Sequence, residues 1–263
     1  MILLFVGDVV GRPGRRILAD QLLSLIDRYK VDYVVVNVEN SAGGFGVTRE
    51  ILAELDELPI DSYTSGNHIW DKKEGLVLLE EHPTLLRPAN YPEGNPGRGL
   101  HIGETASGIR VATVNLEGRV FMKPLESPFR VAERLLDSLD REVKVVMLDF
   151  HAETTSEKQA LGIHLDGRVS VIAGTHTHVP TADERILPGG TAYITDVGMT
   201  GPYESVIGMR ADKVVQRFLL QSKTPFEVAK RDVRLAAIVV DIDQESGHAR
   251  QIQRLLISEG DKA

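Results

Sequence analysis

The strongest constraint on the fold is a repeated switch between two hydrophobic periods. Short β-branched runs bounded by Gly, Asn or Asp recur along the chain: "ILLFVG", "YVVVNV", "IDSYTSG", "RVATVNL", "KVVMLDF", "VSVIAG", "AYITDVG" and "LAAIVVDID". Each reads as a buried strand. Between the early ones, "RRILADQLLSLIDRYK" and "TREILAELDEL" space their apolar residues three and four apart, with Thr48 placed to cap the second. "SPFRVAERLLDSLDRE" repeats the pattern before "KVVMLDF". Strand and helix in alternation specify an α/β sheet with helices on its faces.

Residues 82–101, "HPTLLRPANYPEGNPGRGLH", have no clear period and read as a long loop over one edge, of a length often tied to function. Strand patterns resume on both sides of it, so it is not a domain linker. One domain over residues 1–263 is expected, and a polar tail is expected after "LAAIVVDID". The N-terminal apolar run is too short for a signal peptide, no stretch is long enough to span a bilayer, and a cytoplasmic protein is expected. A net charge of −8 argues against a DNA-binding face, while leaving room for a small anionic substrate at a local positive centre.

"VIAGTHTHVP" places His176 and His178 two positions apart directly after a strand. Alone, such a pair is an exposed strand end, since side chains at i and i+2 share a face. Ligands in open α/β sheets gather at the carboxyl ends of strands, so the other ends matter. They carry Asp8, Glu39 with Asn40, Asn67 with His68, and His151. Each residue has a plain structural role available, as a helix cap, a turn or a strand-end hydrogen bond. Their coincidence at five strand ends points to a metal site. The chain has no cysteine, so any metal would be held by His, carboxylate or amide oxygen. "GDVVGRPG" also follows a strand and opens a helix, yet Gly7, Gly11 and Gly14 match neither dinucleotide-binding nor P-loop spacing.

Taken in order, "GD" after the first strand, "GNH" at 66–68, the strand-end His151 and "GTHTH" at 174–178 resemble the motif set of calcineurin-like metallophosphoesterases. More narrowly, "GDVVGRPGR", "NVENSAGGFG", "TSGNHIWD" and "YITDVGMTGPYESVIG" resemble the bacterial YmdB-like branch, phosphodiesterases acting on 2′,3′-cyclic nucleotides. The resemblance covers nearly the whole chain. Two features depart from the broad superfamily pattern and are shared with the branch. Val9 and Val10 follow Asp8 where an Asp-x-His would stand, and Glu39 with Asn40 replaces a bridging Asp.

The resemblance implies a four-layer α/β/β/α sandwich of two mixed sheets flanked by helices. It implies two metal ions, the first held by Asp8, Glu39, Asn40 and His178, the second by Glu39, Asn67, His151 and His176. Iron or manganese is the expected pair, and zinc suits the same donors. A metal-bridging hydroxide would attack phosphorus, and the expected reaction opens 2′,3′-cyclic nucleotides to 3′-nucleotides. His68 is assigned to protonating the leaving oxygen, with a supporting hydrogen bond as its alternative role and Asp71 as a candidate to orient it. Arg87, Asn90 and Tyr91 are candidate substrate-pocket residues, with a solvated loop as the alternative, and Trp70 is either a pocket wall or core. His82, His101, His164 and His248 read as ordinary surface residues. The expected partner is a small phosphodiester or cyclic nucleotide, with no membrane, and homo-oligomerisation stays open. Two other functions share these residues: a phosphomonoesterase or protein phosphatase, and a metal- or nucleotide-sensing regulatory protein without turnover.

Overall fold

The computed structural model describes residues 1–261, and its layers follow from the parity of the strand residues. β1 (Ile2–Val6) leads through α1 (Gly11–Tyr29) to β2 (Tyr33–Asn37), then through α2 (Arg49–Asp56) to β3 (Ser62–Thr64). These three strands are parallel. Leu4, Val6, Val34 and Val36 face one way, onto Ile17, Leu18, Leu22 and Leu25 of α1 and Leu52 and Leu55 of α2. The intervening Leu3, Phe5, Tyr33 and Val35 face the other way, into a second apolar layer. Fully buried strands with apolar residues on both faces must be covered on both. α3 (Lys73–Glu81) adds Leu78 and Leu79 to the first layer.

A second sheet covers the other face. β4 (Leu100–Glu104) pairs antiparallel with β5 (Arg110–Glu117), α4 (Pro128–Ser138) leads to β6 (Val145–His151), and α5 (Thr155–His164) leads to β7 (Val171–Thr175). β5, β6 and β7 are parallel. Val111, Val145, Met147, Val171 and Ala173 meet the first sheet's Leu3 and Phe5, whereas Val114, Val146, Leu148 and Ile172 turn outward onto Val131 of α4 and Leu161 of α5. β8 (Arg185–Ile186) and β9 (Ala192–Ile194) extend this sheet beyond β7. The chain then returns to the first sheet through β10 (Gly201–Pro202), α6 (Ala211–Leu220), β11 (Val233–Ile242) and β12 (Ala249–Ser258). The result is the expected α/β/β/α sandwich, and among the described residues no helix is long and apolar enough to cross a membrane.

Three local expectations change. The residues after "LAAIVVDID" are not a polar tail but β12, which pairs antiparallel along β11. As an outer strand it exposes Arg250, Gln251 and Gln253, and those charges and amides hide its period of two. The loop ends before β4 and is only partly solvated, with Leu85, Leu86, Arg87 and Asn90 buried and Pro92, Glu93 and Gly94 exposed. Leu85 and Leu86 bridge to Tyr63 and Arg98, and the Ala89 N–H donates to Asn115 O at 2.8 Å, so the segment ties the edges of the two sheets together. Thr48 stands at the start of α2 without a side-chain cap, and the Arg49 N–H donates instead to Glu74 at 2.8 Å.

Phe5 lies at the centre of the inter-sheet layer with no exposed surface. Phe5→Ala should lower the unfolding free energy by about 3–5 kcal/mol, read from urea denaturation. A loss under about 1 kcal/mol would mean that the inner layer is not close-packed.

Candidate functional site

All the parallel strands of both sheets end on one side of the sandwich, and the polar residues follow those ends. Asp8 comes after β1, Glu39 and Asn40 after β2, Asn67 after β3, His151 closes β6, and His176 and His178 follow β7. The structure brings these seven residues together where the two sheets meet. Asp8, Glu39, Asn40, His151 and His178 are buried, and Asn67 and His176 are partly so.

The His176 and His178 spacing is not strand alternation. β7 stops at Thr175, and both histidines have left-handed backbones, with φ of 94° and 65°. Such non-glycine conformations are costly and concentrate at functional sites. Their neighbours hold them there. The His176 N–H donates to Asp8 Oδ2 at 3.2 Å, and Asp196 accepts from the Thr177 N–H and hydroxyl at 3.2 and 2.8 Å. Asp196 is itself paired with the buried Lys158 at 2.7 Å.

Each imidazole has its outer nitrogen fixed, and this determines what the inner nitrogen presents. His151 Nδ1 lies 3.0 Å from Thr175 Oγ1, whose hydroxyl donates to Asp149 at 2.6 Å, so the histidine donates from Nδ1 and turns Nε2 inward. His178 Nδ1 donates to Ile207 O at 2.9 Å, again leaving Nε2 as acceptor. His176 Nε2 faces Glu153 at 3.0 Å, which leaves Nδ1 inward. Outer partners that orient a histidine in this way are a property of metal ligands.

The inward atoms crowd one another. His151 Nε2 lies 3.1 Å from Glu39 Oε1, 3.2 Å from Asn67 Oδ1 and 3.0 Å from His176 Nδ1. His178 Nε2 lies 3.3 Å from Asn40 Oδ1. Acceptors converging like this need a positive charge among them, which the ligand atoms of Glu39, His151 and His176, all within 4.8 Å of one another, are placed to bind. Asp8 Oδ1 and Glu39 Oε1 are buried without any hydrogen-bond donor, an arrangement that costs several kcal/mol per unpaired charge unless a cation compensates it. Burial accordingly raises the Asp8 carboxyl, against the pull of His178 and His151. Glu39 is also disfavoured by burial, but a proton on His151, which the carboxylates around it raise to about 9, brings Glu39 down to about 2; a metal ion on Nε2 would take that proton's place. Burial and the His151 charge together lower His176 to about 3, which keeps it a neutral donor. The donor set of carboxylate, amide and imidazole therefore fits a divalent metal.

His68 stands at the rim on a short 3-10 turn (Asn67–Trp70), its N–H on Glu39 Oε2 at 3.0 Å and its Nδ1 2.7 Å from Asp71. Asp71 thus orients the ring, the point left open by the sequence. Gly66 just before this turn leaves no space for a Cβ, which would lie 2.2 Å from the His151 ring.

The three loop candidates divide. Arg87 and Asn90 are buried and committed elsewhere: Arg87 donates to the Pro96 and Pro88 carbonyls, while the Asn90 amide donates to Glu117 O and Glu126 O and accepts from the Glu117 N–H. They fasten the loop rather than face a ligand. Tyr91 is half-buried, donates to Glu117 at 2.9 Å and packs on Trp70 at 4.8 Å. Trp70 is therefore part of the wall beneath the loop, partly buried against the first apolar layer. Sequence reading missed Glu117, which ends β5 opposite His151, is fully buried and has a carboxyl raised by burial. It also missed Asp149, which accepts from Asn37, Thr64 and Thr175 and is raised by burial to about 7. Glu117 is a strand-end acid like the others and was discoverable by the same rule.

The chain is similar to known proteins over nearly its whole length. The model of the family described as YmdB-like protein matches residues 4–255. The chain is 46% identical over 259 residues to a 2′,3′-cyclic-nucleotide 2′-phosphodiesterase of Bacillus subtilis (strain 168), covering 98% of each. Its structure superposes on that of a hypothetical protein from Thermus thermophilus with a TM-score of 0.92 at 43% identity, covering 98% of this chain and 100% of the other. It also superposes on a structure described as a novel phosphatase from Mycoplasma pneumoniae, with a TM-score of 0.93 at 36% identity, covering 99% and 94%.

Thr175→Val keeps the shape of β7 but removes the acceptor that fixes His151. It should weaken Mn²⁺ binding by about 10–100-fold in isothermal titration calorimetry, with an unchanged far-ultraviolet circular dichroism spectrum. Wild-type affinity in this variant would mean that the relay does not orient His151.

Proposed function

The chain belongs to the YmdB-like protein family, and on that premise we propose that it is a dinuclear-metal phosphodiesterase that opens 2′,3′-cyclic nucleotides to 3′-nucleotides. One observation supports the reading: three imidazoles, each held by an outer partner, turn their other nitrogen into a site where Asp8 and Glu39 each bury an oxygen with no hydrogen-bond partner among the described residues. In this reading Asp8, Glu39, Asn40 and His178 hold one ion, and Glu39, Asn67, His151 and His176 hold the other. The ions, iron or manganese by the donor set and the family likeness, would lower the pKa of a bound water and neutralise the phosphoryl oxygens.

The protein's own groups then do the rest. Glu39 joins the halves of the site, because one carboxylate oxygen faces His151 at 3.1 Å while the other takes the His68 N–H at 3.0 Å. His68 stays fixed by Asp71 through Nδ1, which leaves Nε2 to deliver a proton to the departing 2′-oxygen. Proton donation of this kind contributes about 10²–10⁴ in rate. The Bacillus subtilis relative, named for this reaction, supports the choice of substrate.

Metal analysis of protein purified without chelators, together with turnover of 2′,3′-cyclic AMP, tests the whole reading. His68→Ala should retain metal while kcat falls by about 10²–10⁴, and unchanged turnover would remove His68 from the mechanism. Glu39→Ala should lose both metal and activity, and retention of both would refute its bridging role. Bis-p-nitrophenyl phosphate should be hydrolysed well ahead of the p-nitrophenyl monoester. The reverse preference would indicate a phosphomonoesterase.

A further inference from the structure

The motif "NVENSAGGFG" is only half used by the metal site. Beyond Asn40 the loop turns through Gly43, Gly44 and Gly46, with φ of 68°, 99° and 72°. A Cβ on Gly44 would lie 2.5 Å from Met209 and one on Gly46 2.7 Å from Lys72. These left-handed conformations favour glycine, and the loop they form sets Phe45 beside His68, ring to ring at 4.9 Å and 71°. Phe226 follows Phe45 at 6.0 Å and is 41% exposed, with the Arg217 guanidinium 4.6 Å from its ring centre. Aromatic rings thus lead away from His68 in sequence and finish at a cation.

Phe226 also lines a cleft of about 710 Å³ together with Arg12, Arg16, Gly43, Val228 and Lys230. Its one carboxylate, Glu227, is neutralised by Arg210 at 2.8 Å, and Arg16 is paired with Glu259. Arg12 and Lys230 have no carboxylate partner among the described residues. In a chain of net charge −8, two cations without a carboxylate partner and an exposed ring, in a cleft that Phe226 links through Phe45 to His68, are the elements that bind a single-stranded nucleic acid. Rings stack bases without regard to sequence, and cations track the backbone.

We propose that this cleft receives the upstream nucleotides of an RNA strand whose 3′ end carries a 2′,3′-cyclic phosphate, making RNA termini substrates of the same site. The inference rests on the cyclic-phosphate reading above. Only ribose forms that cyclic ester, so the polymer is RNA and not DNA. The terminal phosphate would enter the metal site, the last base would lie against Phe45 and the preceding base on Phe226. Arg12 and Lys230 would face the phosphate between these two nucleotides and the next one upstream. The reaction is unchanged: water oxygen bonds to phosphorus, the bond from phosphorus to O2′ breaks, O2′ takes a proton, and a 3′-phosphate remains on the strand.

The test compares 2′,3′-cyclic AMP with a short oligoadenylate ending in a 2′,3′-cyclic phosphate, using the full chain in Mn²⁺. The oligomer should show kcat/KM about tenfold higher or more, within the range that stacking of one base supplies. Its kcat/KM should fall with salt at a log–log slope steeper by about 1.4 than that of the mononucleotide, about 0.7 for each of two phosphates contacted. The exposed double variant Arg12→Glu/Lys230→Glu should abolish the oligomer's advantage and leave mononucleotide turnover unaffected. Equal turnover of the two substrates by wild type would overturn the proposal, as would an equal effect of the double variant on both. Failure to open either substrate, with bis-p-nitrophenyl phosphate still hydrolysed, would instead refute the cyclic-phosphate reading on which it stands.

Discussion

The structure depends on how two anionic side chains are kept out of water. Asp8 and Glu39 are at most 1% exposed, and each has an oxygen with no hydrogen-bond partner among the described residues. A carboxylate in such a place is far from its most stable environment unless positive charge is close. Neither sheet supplies that environment alone. The first contributes Asp8, Glu39, Asn40 and Asn67, and the second contributes His151, His176 and His178. Closing the sandwich is therefore the same event as assembling the site, because the inter-sheet apolar layer that holds Leu3 and Phe5 against Val145 and Met147 sets the distance between Glu39 and His151.

The candidate site was legible in the sequence to the extent that ligand chemistry and strand ends coincide. Asp8, Glu39, Asn40, Asn67, His68, His151, His176 and His178 are residue types that stand out after apolar runs, and the structure gathers them. The residues that fix their orientation were not legible. Thr175 is an ordinary strand residue, Ile207 contributes only a carbonyl, and Glu153 reaches back to His176 from the turn before α5. Backbone carbonyls and hydroxyls have no sequence signature for such roles. Arg87 and Asn90 mark the opposite error, since polar residues in a loop near a site read as ligand contacts when their donors are spent on backbone carbonyls.

The fold shows a similar division. The parallel strands were readable because they are buried on both faces and run nearly continuously apolar. β12 was not, since an edge strand that covers one side of β11 and faces solvent on the other carries charges in the positions a pattern search needs. The left-handed backbones at His176, His178 and Ile207 lie between these cases. Conformations of this kind cost on the order of 1–3 kcal/mol each and last only where surrounding bonds over-determine them. Here the Asp196–Lys158 pair holds Thr177, between the two histidines, and His178 itself bonds Ile207.

Charge accounts for how an acidic chain can handle an anionic substrate. In the proposed ligand set the only formal charges are those of Asp8 and Glu39, since the imidazoles present lone pairs and Asn40 and Asn67 are neutral. Two divalent ions would exceed them by two positive charges. The buried acids in the next layer set little against that excess. Asp196 is matched by Lys158, Asp149 is raised by burial to about 7 while accepting three hydrogen bonds, and burial also raises Glu117. The negative charge of the chain is instead carried largely by surface carboxylates, where water screens it within about 8–10 Å. A phosphodiester approaching the rim at His68 would then meet a field set by the site rather than by the net charge, which is why overall acidity and a phosphate substrate are compatible in one protein.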